Sequence, residues 1–143
     1  MISVLQVLPI CIYMLVGIVS IIMAFKSIFS TKFLPFHKRA AGLSWDALES
    51  GLQSVVLALI RVSGLGFLVV ALLLMLVPII SYGNSNMMLQ LAVPSISLLF
   101  CVGLFLINYQ LQIKTGANTP WKGSLYAATL IVIAIGISFV PSR

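Results

Sequence analysis

The chain alternates between long apolar runs and short basic breaks. Residues 1–25, 62–113 and 123–142 hold no charged side chain. Crossing about 30 Å of hydrocarbon takes roughly 20 apolar residues as helix. The first and last runs therefore fit one span each, and the middle run fits two. Tyr82-Gly83-Asn84-Ser85-Asn86 divides the middle run, because Gly, Asn and Ser favour turns. The pattern predicts helices over about 4–29, 52–81, 87–113 and 121–140. The runs are continuously apolar, whereas barrel strands would alternate. The expected fold is all-α: a polytopic membrane protein of four transmembrane helices, bundled into one domain over 1–143.

The breaks between spans carry helix signals. Leu34-Pro35-Phe36 ends the first helix. Ser44-Trp45-Asp46 reads as a helix start, with Ser44 as cap and Asp46 and Glu49 near the positive end of the dipole. Trp45, Leu48, Leu52, Val55, Val56 and Leu59 then form an apolar stripe at helical spacing. An interfacial lead-in helix before the second span, continuous with it as one rod, is the expectation. Thr119-Pro120-Trp121 repeats the device: a cap, a proline at the first helical position and an interfacial tryptophan. The repetition suggests two parallel hairpins, helices 1–2 and 3–4.

Composition sharpens the picture. Of 143 residues, 62% are hydrophobic and 7% charged, with a mean hydropathy of +1.22. Soluble domains carry about 25% charged residues, so a soluble monomer is excluded, as are a disordered chain and a disulfide scaffold. Lys26, Lys32, Lys38, Arg39, Arg61, Lys114 and Lys122 fall on one side of the expected spans and Arg143 alone on the other. The positive-inside rule puts loops one and three in the cytoplasm and both termini outside. The net charge of +6 then signals topology and affinity for anionic lipid headgroups rather than nucleic acid. The first run lacks a basic n-region and a small-x-small cleavage site, so a retained helix is expected instead of a signal peptide.

Candidate chemistry is sparse. One histidine, two cysteines and two acids supply no metal cluster and no nucleophile–base pair, and no glycine-rich phosphate loop is present. No cofactor is implied. Cys11 and Cys101 lie at different expected depths, about 9 and 20 Å, which argues against a disulfide. His37 is either a solvated loop residue in a basic run or a functional group at the interface: a proton acceptor or, with Lys38 and Arg39, a contact for lipid headgroups. Arg61 is either an anchor whose guanidinium reaches the interface or, about 13 Å deep, part of a buried pair or a ligand site. Gln90, Ser97, Cys101, Asn108 and Gln112 form a polar stripe on the third helix. Such a stripe serves packing or lines a cavity. Gly17, Ser20, Ala24 and Ser27 on the first helix, and Ser124, Ala127, Ile131, Ala134 and Ser138 on the fourth, are stripes suited to close helix approach.

The stretch His37-Lys38-Arg39-Ala40-Ala41-Gly42-Leu43-Ser44-Trp45, then Gln53, Arg61 and Gly64, then Thr115-Gly116-Ala117-Asn118-Thr119-Pro120-Trp121, resembles small bacterial four-helix inner-membrane proteins of unknown function. The resemblance implies a bacterial inner membrane and a four-span fold, and it carries no activity.

Two functional expectations follow. The first is an accessory, assembly or interaction subunit without catalytic chemistry, meeting a protein partner or a second copy within the membrane. The alternative is a carrier, channel or binder of a small or lipidic molecule near the cytoplasmic leaflet. Its site would be formed by Arg61, Trp45, Gln53, Asn108, Thr119 and Trp121, polar and aromatic groups expected at one depth. A membrane enzyme is the least favoured class, because only His37, Asp46 and Glu49 could do acid–base work.

Overall fold

The structure, a computed structural model, describes residues 4–81 and 87–139. The expected turn at Tyr82–Asn86 and Arg143 lie outside the described residues. The described chain forms α1 (Val4–Ile28), α2 (Pro35–Ala41), a single 3-10 turn (Trp45–Ala47), α3 (Ser50–Ser81), α4 (Met87–Thr115) and α5 (Trp121–Ser138). The fold is an all-α four-helix bundle, with α2 as a short additional helix. Helices α1, α3, α4 and α5 are each long and apolar enough to cross a membrane. Pro9, Pro78 and Pro94 each stand inside a continuous helix.

Contacts run from α1 to α3, α3 to α4, α4 to α5 and α5 back to α1, closing a ring of four. Its centre is filled by Tyr13, Val16, Val70, Leu74, Cys101, Ala128, Ile131 and Ala134. The small stripe of α1 is spent inside this ring. Gly17, Ser20, Ala24 and Ser27 are all buried, and Gly17 lies against Ala71 and Met75 of α3. On α5 the buried positions are Ala128, Ile131 and Ala134, while Ser124 and Ala127 are half-buried and Ser138 is exposed. Ser97 and Cys101 of the α4 stripe point into the bundle, and Gln90 is exposed.

The close contacts fix the register. A Cβ on Gly64 would meet Ser27 and Ile28, so α3 is level with the end of α1 at Gly64. Gly66 and Phe67 of α3 meet Phe100 of α4. The start of α5, at Trp121, packs against Phe105 and Tyr109 of α4. Beyond these levels α3 continues back to Ser50 and α4 on to Thr115. At 1.5 Å per residue, α3 overhangs the end of α1 by roughly 20 Å, and α4 overhangs the start of α5 by about 12 Å. The bundle is thus stepped at one end: two long helices stand proud of two short ones. Helix α2 packs against α4.

Three local expectations are corrected. Pro35 ends no helix; it opens α2, where its missing N–H costs nothing. Gly42 closes α2 with φ 65°, a left-handed conformation that glycine adopts freely. Ser44 precedes only the 3-10 turn and makes no side-chain cap bond, and Leu48 and Glu49 separate that turn from α3, so the lead-in and the second span are not one rod. At α5, Pro120 stands at the cap position instead of the first helical one, and Thr119 does not cap the helix.

Candidate functional site at the basic end of the bundle

The stepped end collects the cations. Lys26, Lys32, Lys38, Arg39, Arg61, Lys114 and Lys122 are all exposed there. Three lie near the level of the step on three different helices: Lys26 on α1, Arg61 on α3 and Lys122 on α5. Asp46 and Glu49, also exposed, sit on the connection that leads into α3.

The six residues expected to form one ligand site fall into two separate groups and a single residue. Trp45 and Gln53 belong to the α3 approach. The Gln53 side-chain amide donates to the carbonyls of Trp45, at 3.0 Å, and Leu48, at 3.1 Å. It thereby ties the 3-10 turn to the first turn of α3, taking over the role expected of Ser44. Trp45 stands edge-on to Phe33, with centroids 5.0 Å apart. Asn108, Thr119 and Trp121 belong to the α4–α5 connection. The Thr119 hydroxyl, buried, donates to the Asn108 carbonyl at 2.7 Å, and the Thr119 N–H donates to Gln112 Oε1 at 3.3 Å. The Asn108 amide turns back to the Leu104 carbonyl at 2.8 Å. These bonds hold residues 116–120 along the flank of α4, and Trp121 completes an aromatic group with Phe105 and Tyr109.

Arg61 joins neither group. It is exposed on the outward side of α3, in line with Ser50, Ser54 and Ala58, which are exposed as well. The apolar stripe expected on this segment divides. Val56 and Leu48 are half-buried, whereas Leu52, Val55 and Leu59 face outward, Leu59 with 62% of its surface exposed.

Two features were not singled out from sequence. Helix α2 and the α4–α5 connection face each other across an open cleft of about 320 Å³, lined by Pro35, Phe36, Arg39, Asn118, Thr119 and Pro120. The pairing of those two loops is long-range, and Pro120 and Arg39 carry no local signal of it. The second is Tyr13, 6% exposed in the bundle core. Among the described residues its hydroxyl finds no partner; the Ser138 hydroxyl donates to the Ala134 carbonyl.

His37 and its neighbours behave differently from one another. Lys38 and Arg39 are exposed. The His37 ring lies 3.9 Å from that of Phe36 and 6.4 Å from that of Phe33, and its Nδ1 is buried without a partner among the described residues. Burial pushes the His37 pKa below the ordinary value of 6.5, which favours the neutral ring. Cys11 is exposed, Cys101 is buried, and both are free thiols. Among the described residues no three His, Cys, Asp or Glu side chains are grouped to hold a metal ion.

Comparison of the chain with protein-family models, with curated proteins and with solved structures finds no match.

Proposed function

We propose that this chain is an accessory or assembly subunit of a larger complex in a bacterial inner membrane, with no catalytic chemistry of its own. Its basic end lies in the cytoplasm, following the positive-inside rule, and its docking surface is the overhang of α3 and α4. One observation carries the reading: Leu52, Val55 and Leu59 stay half or more exposed on the part of α3 that runs past the end of α1. The first cations of α1 and α5, Lys26 and Lys122, mark that level. We take the bilayer to match the apolar lengths of α1 and α5, the two shorter spans, and to end near these cations, which leaves the overhang outside the lipid tails. An apolar stripe exposed to water is a mark of a protein contact.

Charge selects the kind of partner. Arg61 flanks the stripe, with the small residues Ser54 and Ala58 beside it. A second copy docked symmetrically through this face would bring two guanidinium groups together, whereas a partner helix carrying a carboxylate would satisfy the charge. The partner is therefore an amphipathic or transmembrane helix with an acidic residue. The small-residue seams of α1 and α5 support the same division of labour, because they hold this bundle together and leave the overhang for docking.

Purification in mild detergent tests the proposal. A stoichiometric partner should co-purify with the wild-type chain, and Val55→Glu with Leu59→Glu should release it while the bundle stays folded. A wild-type chain recovered only as a monomer or homo-oligomer would contradict the role.

A further inference from the structure

The cleft between α2 and the α4–α5 connection lies apart from the outward stripe of α3, and it has a chemistry of its own. Its volume is about 320 Å³ and it is open to the surroundings, so it can hold a headgroup at the surface without enclosing a whole molecule. The lining divides in two. Pro35, Phe36 and Pro120 give apolar walls; Arg39 and Asn118 give an exposed guanidinium and an exposed amide. The Thr119 hydroxyl is already committed to the Asn108 carbonyl, so Thr119 serves as wall and support. No carboxylate is among these lining residues. Lys38, next to Arg39, and Lys122, two residues beyond Pro120, are exposed and add positive potential.

Position adds a second argument. The chain reaches α2 just after α1 ends, and Pro120 immediately precedes α5. The cleft therefore opens at the step, near the level of Lys26, Arg61 and Lys122, where lipid phosphates lie in a bilayer matched to α1 and α5. A guanidinium beside apolar walls at that level matches a molecule with an anionic head and an apolar body. Guanidinium takes phosphate oxygens through paired N–H donors in a way that an ammonium cannot.

We propose that this cleft binds the phosphate group of an anionic membrane phospholipid. Arg39 donates to the phosphate oxygens, Asn118 donates through its amide, and Pro35, Phe36 and Pro120 lie against the glycerol and the first acyl carbons. A free phosphate shares the head chemistry but leaves the apolar walls unfilled. The site does not depend on the docking role of the overhang, and it can fail or hold independently of it.

Native mass spectrometry of the full chain in mild detergent, titrated with phosphatidylglycerol or phosphatidylcholine, tests the assignment. The wild-type chain should hold phosphatidylglycerol roughly tenfold more tightly than phosphatidylcholine, and Arg39→Gln should abolish the preference, with Arg39→Lys restoring only part of it. Lys32→Gln, an exposed loop cation outside the lining, should change the affinity by less than about twofold. Equal losses in Arg39→Gln and Lys32→Gln would reduce the effect to diffuse charge attraction and overturn the site. Displacement of the lipid by inorganic phosphate alone would make free phosphate the ligand and overturn the lipid assignment. A melting temperature unchanged by Arg39→Gln is expected from its exposed position and separates lost binding from lost folding.

Discussion

Gly64 of α3 lies directly against Ser27 of α1: a Cβ added to Gly64 would stand 2.9 Å from the Ser27 Cβ and 3.0 Å from the Ile28 backbone nitrogen. This contact sets the register of α1 on α3 and hence the length of the overhang. Gly64→Ala must push two backbones apart and should cost about 1–3 kcal/mol. Gly66→Ala meets the rim of the Phe100 ring at 2.8 Å, which can rotate away, so it should cost less. Unfolding in mixed micelles, followed by circular dichroism, measures both. Equal costs would contradict the proposed role of Gly64 in setting the register.

The α4–α5 connection depends on Thr119. Its hydroxyl satisfies the Asn108 carbonyl and its N–H uses Gln112. Thr119→Val keeps the shape but removes the donor, and should destabilise the chain by about 1 kcal/mol. Thr119→Ser should retain most of the stability, because the donor remains. Thermal unfolding of the two variants gives the comparison; a Val variant as stable as wild type would remove the bond from the account.

His37 makes stability depend on pH. Burial holds its pKa below 6.5 in the folded chain, so the unfolded chain binds the proton more readily. The contribution is fully present above about pH 6.5 and is lost as pH falls from there through the lower folded value. The melting midpoint should drop across that window in the wild type and change less in His37→Gln. A wild-type midpoint that rises on mild acidification would contradict the buried imidazole.

Sidedness has a direct chemical test. In a chain whose Cys11 and Cys101 are replaced by alanine, Lys32→Cys should resist an impermeant maleimide in intact cells and react after permeabilisation. Ser142→Cys should react in intact cells. The reverse pattern would invert the topology.

The helices are legible in the sequence, and their relative heights are not. Uncharged, continuously apolar runs as long as 1–25 and 123–142 specify helical spans, because in lipid only a helix or a closed barrel satisfies the backbone, and barrel strands would alternate. The stripe from Gly17 to Ser27 was legible as a packing face because small residues recur on one side of the helix. The step was not legible. It follows from Gly64 meeting Ser27 and from Trp121 meeting Phe105 and Tyr109, contacts between residues far apart in the chain. The site was legible only in part. Asn108, Thr119 and Trp121 do come together, as do Trp45 and Gln53, because each group is local to one connection. Arg61 stands apart because its helical face, shared with Ser54 and Ala58, turns outward. Leu52, Val55 and Leu59 have the spacing of a buried stripe, and spacing alone does not say whether a helix face meets its own bundle or another protein.

Site-specific photocrosslinking in cells tests the docking role most directly. A photoreactive residue at Val55 or Leu59 should give one discrete heterologous adduct, diminished by Arg61→Glu, while the same probe at Leu72 or Val132, exposed within the spans, should give none. Adducts only to a second copy of the chain, or none at Val55 and Leu59, would contradict it.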